Sequence, residues 1–200
     1  LKGYDLYKAY ERISGIDDGI ARSVSFAYDE KLGYLTACPS NLGTGMRSSV
    51  MMFLPGLAKY KKLEELLPSL KVNGLTVRGV FGEGTAAEGY SYQISNERTL
   101  GYSEADILSH MDEVTLNLAE LEIRARERML EELLKAGRRV SVVGRGWNTY
   151  QGGGSENLDI LSEEGVDITE VIRYMQNSRI VLHNINFETG MHERIFTAML

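Results

Sequence analysis

Residues 33–54 read GYLTACPSNLGTGMRSSVMMFL, a pattern that predicts one strand, a glycine-bearing loop and a second strand. The apolar run at 50–54 has the length of a buried strand. The strand before the loop follows another predicted strand at 25–28 across a short polar turn. Further elements are strands at 75–81 and 90–95 and short helices within 1–22 and at 63–70. This order indicates an α+β fold in which helices flank an antiparallel sheet.

A long helix is the clearest single element. Ser103 and Asp106 resemble a capping box, and nothing interrupts the helical pattern until Gly137. Such a helix has about 34 residues and a length of roughly 50 Å. Its apolar stripe repeats at steps of three and four through Ile107, Met111, Val114, Leu118 and Leu121. Residues 120–135 are densely charged, so we expect most of that part to be a solvated face.

The character of the chain changes after Gly137. Residues 139–144 form a β-branched strand of the parallel-sheet kind. A helix at 168–176, a strand at 180–185 and a helix at 192–200 follow, which together predict a small α/β (βαβα) unit. We therefore predict two domains, 1–130 and 137–200, with a boundary between residues 128 and 138.

Composition excludes several classes of protein. The 200 residues carry 22 Lys and Arg against 28 Asp and Glu, for a net charge of −6. A protein that binds nucleic acid by neutralising phosphates carries a basic excess, so we expect no nucleic-acid partner. Cys38 is the single cysteine, which excludes an internal disulfide and predicts a cytoplasmic location. No apolar run is long enough to span a bilayer, so no membrane partner is expected. His110 and His183 lack partners at metal-ligand spacing, and no metal site is predicted.

Two arginines carry the most chemical information. Arg47 ends the glycine-bearing loop, and Arg78 lies in a strand that is otherwise apolar. A buried arginine needs an anionic partner, and guanidinium groups match phosphate oxygens in a bidentate fashion. Two arginines beside glycine turns therefore suggest a polyphosphate site. The alternative is that both pair with local carboxylates such as Glu83 or Glu88.

Several motifs in fixed order indicate a family. Residues 33–50 are followed by VRGVFGEG at 77–84, YQISN at 92–96 and LG at 100–101. This series resembles the signature of phosphagen (guanidino) kinases. Within that family it is most similar to the bacterial protein arginine kinases, which phosphorylate arginine side chains in proteins. The resemblance covers roughly residues 1–130.

The resemblance implies ATP or ADP with Mg²⁺ as cofactor and an arginine-containing protein as substrate. It also implies two nucleotide-binding runs, composed of Arg47, Ser48, Ser49, Val50, Met51, Arg78, Gly79, Val80, Phe81, Gly82 and Glu83. Cys38 and Glu83 match catalytic positions. A thiolate beside a guanidinium cation is chemically reasonable, because cationic surroundings lower the pKa of a thiol. The alternative for Cys38 is a small buried apolar side chain.

The chain also departs from the family pattern. The acidic catalytic motif and the earlier arginines of the family do not occur in these 200 residues. The chain starts at Leu1 and stops at Leu200 inside a helical pattern. We therefore expect a piece of a kinase lobe with weak or no catalysis.

A second resemblance covers residues 137–200. GRGW at 144–147, SRIVLHN at 178–184 and HERIFTAML at 192–200 are similar to the C-terminal lobe of GT-B glycosyltransferases of the spore-maturation type. It implies that Glu193, with His192 and Arg194 beside it, contacts a sugar nucleotide. The alternative is a surface helix start at which Glu193 favours the helix dipole.

Two unrelated resemblances thus meet inside one predicted helix. We expect a chimeric chain, with a natural fusion as the alternative. Its function is then that of the kinase-like part, of a glycosyltransferase fragment, or of a non-catalytic scaffold. Apolar faces or the stripe of Tyr4, Tyr7 and Tyr10 would make a homo-oligomer possible.

Overall fold

The computed structural model describes residues 4–79, 90–143, 147–162, 167, 169–170 and 173. The described residues form two compact units, the first with those between 5 and 125 and the second with those from 126 onward and Tyr4. The division falls inside the long helix. The assignment of two domains at 1–130 and 137–200 stays a prediction.

The first unit begins with a helix and a hairpin. Helix α1, Leu6–Ala21, starts where the Asp5 side chain accepts a hydrogen bond of 2.8 Å from the backbone nitrogen of Lys8. Strands β1 (Tyr28–Asp29) and β2 (Gly33–Tyr34) then pair antiparallel. Both are shorter than the predicted strands at 25–28 and 33–37. No side chain of α1 is buried.

A three-stranded antiparallel sheet forms the centre of the first unit, as the strand pattern predicts. Its strands are β3 (Ser49–Phe53), β4 (Leu75–Gly79) and β5 (Ser91–Asn96), in the order β3-β5-β4. Both outer strands pair antiparallel with β5, so that Ile94 lies opposite Val50 and Val77.

Three helices accompany this sheet: α2 (Pro55–Lys59), α3 (Lys62–Val72) and α4 (Glu104–Lys135). The sequence predicts α3 and α4 but not α2, because five residues are too few to show a helical period. The capping box at the start of α4 is confirmed. The backbone nitrogen of Asp106 donates to the Ser103 hydroxyl at 3.1 Å, and the Ser103 nitrogen donates back to the Asp106 carboxylate at 3.0 Å.

The buried line along α4 differs from the predicted stripe. Ile107, Met111 and Leu118 are buried as predicted, but Leu121 is 37% exposed. Thr115 and Glu122 are buried instead, each at 2%. The buried positions 111, 115, 118 and 122 are spaced by four, three and four residues, as one face of a helix requires. The predicted stripe follows hydrophobicity and places Val114 and Leu121 on that face instead. Most of residues 120–135 are not buried, as expected, and Glu122 is a buried exception among the charged side chains.

The core of the first unit collects apolar side chains from the sheet and the helices. Its side chains with an exposure of 4% or less are Met52, Leu54, Leu57, Leu63, Leu75, Ile94, Ile107, Leu108, Met111 and Leu118. Burial of a side chain of this size contributes about 1.5 to 3 kcal/mol. Met52, Leu75 and Ile94 belong to the same face of the sheet, which is therefore the inner face.

The second unit contains a parallel strand pair. Strand β6 (Val140–Val143) lies beside β7 (Leu158–Ser162), and Val140 pairs with Leu158. The parallel character predicted for residues 139–144 is confirmed. Strand β7 was not predicted, because LDILS contains two polar residues and no turn signal marks its end. The predicted elements at 180–185 and 192–200 lie outside the described residues.

Two short 3₁₀ turns, Trp147–Thr149 and Ser155–Asn157, lie between these strands. Gly154 has φ of +83°, and a Cβ there would lie 2.8 Å from backbone and side-chain atoms of Leu134. The glycine is therefore required by close backbone packing as well as by its conformation. No helix in the described ranges combines the length and apolar content that crossing a bilayer requires.

Candidate functional site

Arg47 ends the loop that precedes β3, and its guanidinium group is held by four hydrogen bonds. Its Nε donates to Asn41 Oδ1 at 2.9 Å, and its Nη1 donates to the Asn96 carbonyl at 2.7 Å. Its Nη2 donates to the Ser40 hydroxyl at 3.1 Å and to the Ser40 carbonyl at 3.3 Å. All four acceptors are neutral oxygens. The group is thus fixed in place while its positive charge remains uncompensated by these partners.

This geometry bears on the carboxylate alternative for Arg47. Among the residues that the structure describes, Arg47 forms no ion pair with Asp or Glu. Glu83 and Glu88, named as alternative partners, lie outside the described residues. The neutral acceptors favour the interpretation that the Arg47 charge serves an anionic ligand.

Cys38 is exposed and lies in the same loop. Its Sγ is 3.0 Å from the Ser40 hydroxyl oxygen. Hydrogen bonding from the Ser40 side chain and then from its backbone lowers the pKa of the thiol, and the positive charge of Arg47 adds a smaller effect of the same sign. The exposure contradicts the alternative of a small buried apolar side chain. A lowered thiol pKa is the electrostatic condition for a reactive cysteine.

Asn96, at the end of β5, connects this loop to the sheet. Its side-chain Oδ1 accepts a hydrogen bond of 2.7 Å from the Ser48 backbone nitrogen, and its Nδ2 donates to the carbonyl oxygens of Met46 and Arg98 at 3.1 Å each. The residue is 4% exposed. Asn96 is the last residue of the YQISN motif at 92–96, and no role was predicted for it. An amide side chain at the end of a strand pattern was the available signal in the sequence, since such a group can bond to backbone of a neighbouring loop.

Gly43 allows a second close approach to the segment after β5. Its φ is +105°, and an added Cβ would collide with the carbonyl oxygen of Thr99. Backbone hydrogen bonds reinforce the approach, since the Thr44 nitrogen donates to the Thr99 carbonyl at 3.3 Å. The glycine therefore lets the loop lie directly on the chain that follows β5.

The sheet register divides the predicted nucleotide-binding residues between two faces. Side chains alternate along a strand, and paired residues share a face. Met51 and Arg78 both pair with Gln93, so their side chains lie on one face. Ser49 shares that face, since its hydroxyl lies 2.8 Å from the hydroxyl of Ser95. On this outer face Met51 is 45% exposed, whereas Ser95 is buried.

The remaining predicted residues are placed differently. Val50 and Gly79 alternate with Met51 and Arg78 and so belong to the inner face. Ser48 is buried, and its backbone nitrogen is occupied by Asn96. Val80, Phe81, Gly82 and Glu83 lie outside the described residues, as do His192, Glu193 and Arg194.

An open cavity adjoins the loop on the side of the segment after β5. Its volume is about 180 Å³, and it is lined by Pro39, Ser40, Glu97, Arg98, Thr99 and Leu100. Within the described ranges, no group of three or more His, Cys, Asp or Glu side chains could hold a metal ion.

Residues 1–125 match the family model described as ATP:guanido phosphotransferase, C-terminal catalytic domain. The curated protein-arginine kinase of Halalkalibacterium halodurans is 49% identical over 129 residues, which are 64% of this chain and 36% of that protein. The protein-arginine kinase of Clostridium acetobutylicum is 47% identical over 130 residues, or 65% of this chain and 38% of that protein. This chain thus spans little more than a third of the length of these relatives.

Solved structures agree with the sequence comparison. The duplicated taurocyamine kinase from Schistosoma mansoni, with bound transition state analog components, superposes with a TM-score of 0.52 at 38% identity. The match covers 58% of this chain and 16% of that one. Lombricine kinase gives a TM-score of 0.51 at 34% identity, with 64% of this chain and 33% of that one covered. These comparisons support the kinase-like interpretation and give no support to the glycosyltransferase alternative.

Proposed function

The chain belongs to the ATP:guanido phosphotransferase family, and on that premise we propose that residues 5–125 bind the phosphates of ATP or ADP in a kinase that phosphorylates arginine side chains of proteins. The γ-phosphoryl group of ATP is the group transferred. The relatives named as protein-arginine kinases supply the substrate class. Nucleotide binding is the step that the described residues support most directly.

The observation that carries this proposal is the state of Arg47. Its guanidinium is oriented by four bonds to neutral oxygens and has no carboxylate partner in the described ranges. A guanidinium has five N–H donors, so one donor and the full positive charge remain for a ligand. The remaining N–H can donate a charge-assisted hydrogen bond to a phosphate oxygen, and such a bond is stronger than one between neutral groups.

Positioning and charge stabilisation account for most catalysis of phosphoryl transfer. In the proposed reaction Arg47 holds phosphate oxygens and stabilises charge on the transferring group. Arg78 extends the outer face of the sheet on which Ser49 and Met51 also lie. A nucleotide on that face would contact these side chains. Ser48 and Val50 would contribute indirectly, because the Ser48 backbone bonds to Asn96 and the Val50 side chain belongs to the inner face.

Cys38 is the residue that we assign to the substrate arginine, which accepts the phosphoryl group. Its thiol pKa is lowered, which favours a thiolate. A negatively charged sulfur at an exposed position attracts the guanidinium cation of a substrate arginine. We propose that Cys38 orients this cation and that Glu83, which lies outside the described residues, is the second catalytic group.

Mg²⁺ is the cofactor that the family implies. Mg²⁺ is usually held by one or two carboxylates together with substrate phosphates and water, and a dedicated protein cage is uncommon. The donor set near Arg47 is cationic and fits the nucleotide phosphates, so the metal would enter with the nucleotide. When bound, it supplies neutralisation of phosphate charge.

The other predictions about partners stay open. A cytoplasmic location, the lack of nucleic-acid and membrane partners, and a homo-oligomer remain predictions. The sugar-nucleotide role of His192, Glu193 and Arg194 has no supporting observation and is not proposed.

Calorimetric titration with Mg-ADP tests the proposed function. Wild-type protein should bind Mg-ADP saturably and should not bind Mg-UDP with comparable affinity. Arg47→Ala should weaken Mg-ADP binding by about ten- to hundredfold, since one charge-assisted hydrogen bond contributes about 1.5 to 3 kcal/mol. Arg47→Lys should restore only part of the loss, because an ammonium group keeps the charge but lacks the planar donors that Asn41, Asn96 and Ser40 hold in place.

The matched control is Arg128→Ala. Arg128 is an exposed arginine on α4 that pairs with Glu132 at 3.1 Å, so its loss should leave ADP affinity unchanged. Thermal unfolding of each variant separates loss of binding from loss of folding. A folded wild-type protein without saturable Mg-ADP binding, or an Arg47→Ala variant with wild-type affinity, would contradict the proposal.

A further inference from the structure

Thr99 follows β5 and is 2% exposed. Its hydroxyl donates to the Leu42 carbonyl at 2.7 Å and lies 3.1 Å from the Ser40 carbonyl, so that one proton is shared between two acceptors. Its own carbonyl accepts from the Thr44 nitrogen at 3.3 Å. A residue outside the loop thereby fixes three positions within it.

Ser40 is the point at which this contact reaches the site. Its carbonyl accepts from Thr99 and also from Nη2 of Arg47. Its hydroxyl accepts from the same Nη2 at 3.1 Å and lies 3.0 Å from Sγ of Cys38. Any displacement of Ser40 therefore changes the surroundings of the guanidinium and of the thiol together.

We infer that Thr99 is a positioning residue, which acts through Ser40 to hold both Arg47 and Cys38 in their places. The inference rests on the proposed function for its catalytic meaning, but its structural content does not depend on nucleotide binding. Thr99 is assigned no contact with substrate. The positioning effect is assigned to the hydroxyl group, which donates to the Ser40 and Leu42 carbonyls, and not to the methyl group.

Thr115 provides a matched control within the same unit. It is also 2% exposed, and its hydroxyl donates to the Met111 carbonyl at 2.7 Å and lies 3.1 Å from the Asp112 carbonyl. These bonds stay inside α4. Replacement of either threonine by valine removes a buried hydroxyl and leaves two carbonyl acceptors, but only one replacement affects the loop.

The experiment compares Thr99→Val, Thr99→Ser and Thr115→Val in the full chain. The first readout is the pH dependence of alkylation by iodoacetamide, which reports one site because Cys38 is the single cysteine. Arg47 is the charged group that acts on this thiol, and Ser40 supplies its hydrogen bonds. The second readout is the affinity for Mg-ADP, and urea denaturation gives the stability of each variant.

Thr99→Val should raise the apparent thiol pKa toward the value of a free cysteine, about 8.5. It should also weaken Mg-ADP binding by roughly three- to tenfold, the effect of about one hydrogen bond. Thr99→Ser retains the hydroxyl and should keep both properties at wild-type values. Thr115→Val should lose stability without a change in either.

Two results would overturn the inference. One is a Thr99→Val variant that loses stability like Thr115→Val yet keeps the wild-type thiol pKa. The other, which remains readable if the valine variant does not fold, is a folded Thr99→Ser variant with a clearly raised thiol pKa. If wild-type protein binds no Mg-ADP, the proposed function fails, while the thiol readout still decides whether Thr99 positions Cys38.

Discussion

Glu122 provides the sharpest test of how the first unit is held together. Its carboxylate oxygens accept hydrogen bonds of 2.9 Å each from the backbone nitrogens of Gly56 and Leu57. These are the second and third residues of α2, whose N-cap, Leu54, offers no side-chain acceptor. A carboxylate from α4 thus replaces the capping side chain that a helix start normally has nearby.

The expected cost of Glu122→Ala follows from these contacts. The substitution leaves two buried N–H groups without their charged acceptor, and loss of one partner from such a buried arrangement costs about 3 to 5 kcal/mol. Domains of this size are stable by about 5 to 15 kcal/mol in total. Glu122→Gln retains one acceptor oxygen and should cost about 1 to 2 kcal/mol.

Urea denaturation followed by far-ultraviolet circular dichroism measures this loss. With a denaturant slope of about 2 kcal/mol per molar, the midpoint should fall by roughly 1.5 to 2.5 M. Hydrogen exchange at the amides of Gly56 and Leu57 should accelerate more than exchange at the amides of the three-stranded sheet. Glu120→Ala is the control, since Glu120 is 68% exposed and pairs weakly with Arg124 at 3.7 Å.

A midpoint for Glu122→Ala within experimental error of that for Glu120→Ala would refute the reasoning. So would unchanged exchange at the two amides, because it would show that the carboxylate does not protect them.

Three smaller predictions concern the loop and the start of α4. Gly43 has φ of +105° and no room for a Cβ, so Gly43→Ala should lower the free energy of unfolding by about 2 kcal/mol or more in urea denaturation. Ser40→Ala removes the hydroxyl next to Cys38 and should raise the thiol pKa, which an iodoacetamide rate at pH 7 would show as slower alkylation. Hydrogen bonds from Ser103 lower the pKa of Asp106. Such a carboxyl stabilises the fold above its unfolded pKa of about 4 and loses that effect as the pH falls through the lower folded value. Ser103→Ala should therefore have a lower melting temperature than wild type at neutral pH. The difference should become smaller in acid but should not vanish, because the Asp106 backbone N–H donates to the Ser103 hydroxyl at any pH.

The elements predicted correctly are those with a strong local pattern. Helix α4 combines a capping box with a long apolar period, and β3 is a continuous apolar run. The missed elements have weak local patterns. Helix α2 has five residues, and β7 contains Asp159 and Ser162. Their formation depends on Glu122 in the first case and on pairing with β6 in the second.

The candidate site shows the same division. Arg47 and Cys38 were identified from residue type and motif order, which need no three-dimensional information. Asn96 and Thr99 were assigned no role, because their importance comes from contacts with a loop that lies 48 and 59 residues earlier in the chain, respectively. Ser49 and Met51 lie on the outer face of the sheet and Val50 on the inner face. This follows from the alternation of side chains along a strand once the inner face is known.

Sequence alone determined the family, the antiparallel sheet with flanking helices, and the residue types of the proposed phosphate site. Local periods, caps and ordered motifs carry that information. Only the tertiary structure decided that Leu121 is exposed while Glu122 is buried, and that neutral oxygens hold Arg47. Burial and hydrogen-bond partners depend on which distant segments of the chain come into contact. A local sequence pattern does not specify those segments.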